Sequence, residues 1–154
     1  ENGFALIIDS SYPEAVKALA YQPLLVKPND AELMSWFNQS GEADLATMVK
    51  LGHKALAAGA QNVLVSLGAA GALFMNQDVT LVGNAPKIYV LNTAGAGDTM
   101  LGTFLAGLYQ KQDLADTLKL AIAAGSDTAR RAWITDFTET DELLTQIKIK
   151  KLEG

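Results

Sequence analysis

The sequence predicts an α/β fold with a mostly parallel sheet, and three observations carry that prediction. Short apolar runs recur along the chain, at Phe4-Ala5-Leu6-Ile7-Ile8-Asp9, Pro23 to Val26, Asn62 to Leu67 and Lys87-Ile88-Tyr89-Val90-Leu91. Continuous apolar runs of this length suit strands buried on both faces. Between them, apolar residues repeat at helical spacing, with the longest segments over Leu45 to Ala58 and Leu114 to Arg131. Strands alternating with such helices imply crossover connections and a sheet covered on both faces. Third, a glycine-rich turn, Asn92-Thr93-Ala94-Gly95-Ala96-Gly97-Asp98, joins the run at 87–91 to a helix carried by Met100, Leu101, Phe104, Leu105 and Leu108.

Taken in order, Phe4 to Asp9 is expected as a buried parallel strand, although nothing ahead of it covers its edge. Ser11 and Glu14 stand at capping-box spacing before Ala15, Val16, Ala18 and Leu19, which predicts a helix. Pro23 to Val26 gives a second strand, closed by Lys27-Pro28-Asn29, and Asp30 to Phe37 a short helix. Gly41 breaks the chain, and Gly59 ends the helix from Leu45. A third strand covers Asn62 to Leu67. Gly71 to Met75 and Val79 to Val82 read as short strands around the Asn76-Gln77-Asp78 turn. After the glycine-rich turn and its helix come helices over Leu114 to Arg131 and Thr138 to Ile147. The end at Lys148-Ile149-Lys150-Lys151 reads as a solvated tail.

Composition narrows the function. The 154 residues suffice for one domain with a buried core, and 49% apolar content excludes a disordered chain. A net charge of −5 with no basic run argues against a nucleic-acid partner. No apolar run is long enough to cross a membrane, and no basic-then-apolar leader opens the chain. The absence of cysteine excludes disulfides and thiolate metal sites and fits a cytoplasmic protein.

The glycine-rich turn admits two readings. Backbone N–H groups at a helix N-terminus form a cradle for an anion such as phosphate, and Asp98 adds a carboxylate able to take a proton. Equally, the glycines relieve a tight turn and Asp98 caps the helix. Asn29-Asp30-Ala31-Glu32, after the second strand, is an ordinary capping box on its own. Lys27 is either a cation near a bound phosphate or a solvated strand end. Ser66-Leu67-Gly68-Ala69-Ala70-Gly71 is not a Walker loop, since no Lys-Ser or Lys-Thr follows the second glycine. The small residues Ala123-Ala124-Gly125-Ser126 suit close helix packing, and His53 has no second metal-type ligand nearby in the sequence.

Together, these motifs and their order resemble the PfkB (ribokinase-like) carbohydrate kinases. Asn92 to Asp98 matches the family's C-terminal signature of Asp/Asn/Ser, Thr/Ser, any residue, Gly-Ala-Gly-Asp. The context Lys27-Pro28-Asn29 is similar to the branch containing 1-phosphofructokinase and tagatose-6-phosphate kinase. The resemblance implies a three-layer α/β/α fold and ATP-dependent phosphorylation of a small-molecule sugar phosphate, with Mg²⁺ as cofactor. It implies Asp98 as catalytic base, with Gly95, Ala96 and Gly97 as the phosphate cradle. Asn29 and Glu32 are implied as Mg²⁺ partners through water. Lys27, Ser66, Gly68 and Gly71 are implied to hold the nucleotide, and Ala124 and Ser126 to border the adenine.

Family members are about twice this length, and no Gly-Gly or Asp-x-x-Gly-Gly sugar motif occurs here. Residues 1–154 are therefore expected to be the C-terminal, nucleotide-binding half of one ribokinase-like domain, without its N-terminal half and β lid and inactive in isolation. A homodimer of the full-length enzyme is compatible with the resemblance. Two alternatives stand beside this one. They are a kinase of the same superfamily for an unphosphorylated sugar or nucleoside, and a nucleotide-binding fragment without catalysis.

Overall fold

Parallel pairing begins in the first two apolar runs, although each contributes only two strand residues. The computed structural model describes residues 3–153. Its strands are β1 (Ile7–Ile8), β2 (Leu25–Val26), β3 (Val63–Ser66), β4 (Ala72–Met75), β5 (Thr80–Gly83) and β6 (Ile149–Leu152). Its α-helices are α1 (Asp30–Trp36), α2 (Leu45–Ala57), α3 (Ala96–Tyr109), α4 (Leu114–Ala129) and α5 (Thr140–Leu144). Among the described residues the strands follow the order β1-β2-β3-β4-β5-β6 in a six-stranded sheet.

That sheet is mixed, which corrects the expectation of a mostly parallel one. β1 pairs parallel with β2 through Ile7↔Leu25 and Ile8↔Val26, and β2 with β3 through Val26↔Val63. The turn from β4 to β5 is too short for a crossover, so the chain returns antiparallel. Asn76 builds this turn. Its N–H donates to the Val79 carbonyl at 3.0 Å, and its Oδ1 accepts from the N–H groups of Asp78 and Val79, both at 2.9 Å.

Four further expectations need correction. The run at 87–91 forms no strand: Tyr89, Val90 and Leu91 are exposed, and the N–H groups of Leu91 and Asn92 both donate to the Ala129 carbonyl. Apolar and β-branched residues make a strand only where a neighbour supplies a ladder. In the first run, Phe4 is 91% exposed and only Ile7–Ile8 is strand. The Ser11–Glu14 capping box does not form, because Tyr12 is the N-cap, with Pro13 at the first position of a 3-10 helix over Pro13–Tyr21. The supposed tail is the strand β6, with Lys150 and Lys151 exposed along it. Lysine on a sheet edge is a common guard against further pairing.

The chain forms two compact units. The first runs up to Leu67 and adds Leu73–Thr80 and the residues from Lys151 on; the second takes Gly68–Ala72 and Leu81–Lys150. In the first, Leu25, Val26, Leu33, Met48, Leu51, Val63, Leu64 and Phe74 are fully buried. In the second, α3 packs along α4 around Phe104, Leu118, Ala121 and Ala124, all fully buried. Thr117 packs where a side chain at Gly107 would sit, and its Oγ1 is buried without a partner. A buried, unpaired hydroxyl costs stability. Thr117→Val keeps the shape and should therefore stabilise the protein by about 1 kcal/mol. A urea-unfolding midpoint below that of the parent chain would contradict this.

Candidate functional site

In the first unit, the parallel pairings bring Asp9, Lys27, Asn29 and Ser66 to the carboxyl ends of β1, β2 and β3. Asn29 and Ser66 form a further parallel bridge, and the Ser66 N–H donates to the Pro28 carbonyl at 3.1 Å. Ligands of open α/β sheets bind at this end of the strands. Lys27 is not a solvated strand end. It is 6% exposed, and its Nζ lies 3.3 Å from Asp9 Oδ2. Asp9 was missed as a site residue, since an acid closing an apolar run shows nothing of its partner before the strands are paired.

Asn29 and Glu32 form the capping box of α1. Asn29 Oδ1 accepts from the Glu32 N–H and Glu32 Oε2 accepts from the Asn29 N–H, both at 2.8 Å. Both residues are half-buried, and Glu32 Oε1 and Asn29 Nδ2 have no partner among the described residues. The cap therefore leaves one carboxylate oxygen available. Among the described residues no cluster of three or more His, Cys, Asp or Glu could hold a metal ion. The set suits Mg²⁺, which keeps several waters and takes one or two carboxylates together with substrate phosphates. His53 is exposed on α2.

In the second unit, Gly68 and Gly71 bracket a short 3-10 turn, closed by the Gly71 N–H on the Gly68 carbonyl at 3.1 Å. Gly71 has φ 109°, and a Cβ there would collide with the Gly83 carbonyl, so this position accepts only glycine. Nothing lies near the corresponding point on Gly68. Ala124 is fully buried on α4, while Ser126 is half-buried.

The glycine-rich turn also lies in the second unit. Gly95 is the N-cap of α3, in the left-handed region at φ 79°, and provides no side-chain cap. Asn92 Oδ1 accepts from the Ala94 N–H at 3.0 Å, and the Thr93 carbonyl from the Ala96 N–H at 3.2 Å. The Thr99 N–H donates to the Gly95 carbonyl at 2.8 Å. The N–H groups of Gly97 and Asp98 have no acceptor among the described residues. Asp98 itself is exposed, and its carboxylate accepts no hydrogen bond that would make it a cap. Two free donors at the positive end of a helix, beside an uncommitted carboxylate, can receive an anion and a proton. Of the expected cradle residues Gly95, Ala96 and Gly97, only Ala96 has its N–H committed among the described residues, to the Thr93 carbonyl, and the Asp98 N–H is open as well.

Behind this turn lies a buried ionic cluster that no motif disclosed. Asp127 on α4 is fully buried, and its Oδ1 accepts from Arg130 Nε at 2.7 Å. Its Oδ2 accepts from the Thr135 hydroxyl and lies 2.9 Å from Arg131 Nε. Burial opposes ionisation of this carboxyl, but the Thr135 hydroxyl, Arg130 and Arg131 outweigh it and hold its pKa below the ordinary range. The available signal was the i,i+3 and i,i+4 spacing of Asp127, Arg130 and Arg131, which also describes any solvated helix end.

Comparisons with known proteins agree with one another. Residues 2–139 match the family described as pfkB family carbohydrate kinase. The chain is 37% identical over 152 residues to the D-tagatose-1-phosphate kinase of Bacillus licheniformis, covering 99% of this chain and 50% of that protein. It is 31% identical over 147 residues to the 1-phosphofructokinase of Bacillus subtilis, covering 96% and 48%. The crystal structure of phosphofructokinase-2 from Escherichia coli in complex with substrates and products superposes at TM-score 0.84 with 28% identity, covering 93% of this chain and 47% of that one. Ribokinase from Thermotoga maritima, at 22% identity and TM-score 0.76, shares the fold. The chain spans about half the length of the curated relatives it matches. With the match running through both the Asn29–Glu32 box and the Gly95–Asp98 turn, the chain belongs to the PfkB family of carbohydrate kinases.

Proposed function

We propose that this chain is the nucleotide-binding and catalytic-base half of a sugar-phosphate kinase, acting on a ketohexose phosphate of the kind its relatives are named for. The observation that carries the reading is the uncommitted Asp98 carboxylate beside the free N–H groups of Gly97 and Asp98. Bound MgATP supplies the phosphoryl group. Asp98 takes the proton of the attacking hydroxyl, because a neutral alcohol is a poor nucleophile without a positioned base. The N–H groups of Gly97 and Asp98, in the turn that Gly95 permits, stabilise the charge developing on the transferred group.

Asn29 and Glu32 would hold Mg²⁺ through water, and the ion would supply positive charge to the nucleotide phosphates. Lys27, kept in place by Asp9, offers its charge to the nucleotide phosphates, and Ser66, Gly68 and Gly71 line the nucleotide. Ser126 borders the base, with Ala124 behind it. Residues that position the acceptor belong, on this reading, to the N-terminal half of the full-length enzyme, which also completes the three-layer domain and its lid.

A coupled ADP-release assay on the full-length protein tests the proposal, using fructose 1-phosphate, fructose 6-phosphate, tagatose 1-phosphate and tagatose 6-phosphate. Turnover only with unphosphorylated sugars or nucleosides would refute the substrate class. Glu32→Gln should weaken the Mg²⁺ dependence of that activity more than it weakens folding, because Gln can still close the capping box. A Mg²⁺ titration unchanged from the parent enzyme would remove Glu32 from the metal site.

A further inference from the structure

Three hydrogen bonds and two close approaches tie the turn of residues 91–99 to the C-terminal part of α4 and the loop after it. The Ala129 carbonyl accepts the N–H groups of Leu91 and Asn92 at 2.8 and 3.1 Å. The Thr128 hydroxyl donates to the Thr99 hydroxyl at 3.1 Å, one residue beyond Asp98. A Cβ at Gly95 would lie 3.2 Å from Ile134 Cγ2, and one at Gly125 would lie 3.0 Å from the Ala96 carbonyl. Residues 128 and 135 are themselves held by the buried cluster. The Thr135 N–H donates to Thr128 Oγ1 at 3.1 Å, and the Thr135 hydroxyl donates to Asp127. Arg130 and Arg131 brace Asp127 and reach on to Glu139 and Asp136.

We propose that Asp127, Thr135 and Thr128 are positioning residues for the phosphate cradle, forming a hydrogen-bonded strut from the buried carboxylate to Thr99 in the first turn of α3. The inference rests on the assignment of Asp98 as base and of the turn as cradle. A base and a pair of N–H donors act only if their placement holds to a fraction of an ångström. The turn's own hydrogen bonds join Asn92 to Ala94, Thr93 to Ala96 and Gly95 to Thr99 and leave Gly97 and Asp98 out, Gly95 provides no side-chain cap, and the residues before it form no strand. The strut supplies the rigidity from one side. Thr128 is 1% exposed and Thr135 8%, so neither hydroxyl is free to exchange its partners for water.

The test is made in the full-length kinase. Thr128→Val preserves volume and deletes the hydroxyl between the Thr135 N–H and Thr99. It should lower kcat roughly 10- to 100-fold, the scale expected when a reacting group is displaced by ~1 Å, with KM for the sugar phosphate little changed. Thr128→Ser keeps the hydroxyl and should restore kcat. Amide hydrogen exchange across residues 95–99 should quicken in Thr128→Val and not in Thr128→Ser, a readout independent of turnover. With Asp98→Asn measured alongside and inactive, an unchanged kcat in Thr128→Val overturns the inference. Should Asp98→Asn turn over normally, the base assignment fails instead, and exchange alone then decides: unchanged rates in Thr128→Val overturn the strut.

Discussion

Asp98→Asn in the full-length kinase should lower kcat by on the order of 10²–10⁴-fold while sparing MgATP binding. Asparagine is close to isosteric with aspartate but cannot accept a proton at neutral pH. The substitution also leaves the backbone donors of Gly97 and Asp98 in place, so phosphate binding should survive. Folding should survive as well, because the carboxylate is exposed and accepts no hydrogen bond in the turn. Loss of turnover therefore cannot be ascribed to a lost helix cap. Nucleotide affinity by calorimetry and single-turnover rates separate the two effects. Near-normal turnover in a folded Asp98→Asn protein would show that the carboxylate is not the base.

Asp127→Asn should cost about 3 kcal/mol of stability at neutral pH, the low end for breaking a buried ion pair, because the two arginine side chains are 20% and 25% exposed and solvent screens them. Asparagine leaves Arg130 and Arg131 facing each other without the charge that holds both. The pH dependence follows from the lowered pKa of Asp127. Its ionised form stabilises the fold fully above the unfolded carboxylate value of about 3.9, and the contribution fades as pH falls through the lower folded value. The gap between parent and variant should thus be widest near neutrality and close in strong acid. Urea titrations at the two extremes measure it. Equal gaps at both pH values would show that the variant acts through packing rather than charge.

Much of the fold was legible because local chemistry and tertiary context agreed. Asn29 and Glu32 specify their cap whatever surrounds them, and α1 begins at Asp30 as expected. The periodic runs at 45–58 and 114–131 become α2 and α4 within two residues at their C-termini. Gly95, Gly97 and Asp98 are placed at the start of α3 by the turn alone. Strands were harder to read, since a strand exists only through its neighbour. Lys87 to Leu91 has the composition of a strand and lacks a ladder, whereas Ile149 to Leu152 has the composition of a tail and forms one.

By itself, the sequence determined the family, the glycine turn with its aspartate, and the capping box, because each is written in neighbouring residues. Tertiary structure alone decided which groups are already spent. It pairs Lys27 with Asp9 across two strands, and it commits Ala96 to Thr93 while leaving the N–H groups of Gly97 and Asp98 open. It also joins Asp127 to Thr99 through Thr135 and Thr128. These partners come from different elements, and no spacing along the chain encodes a contact that exists only once the elements pack.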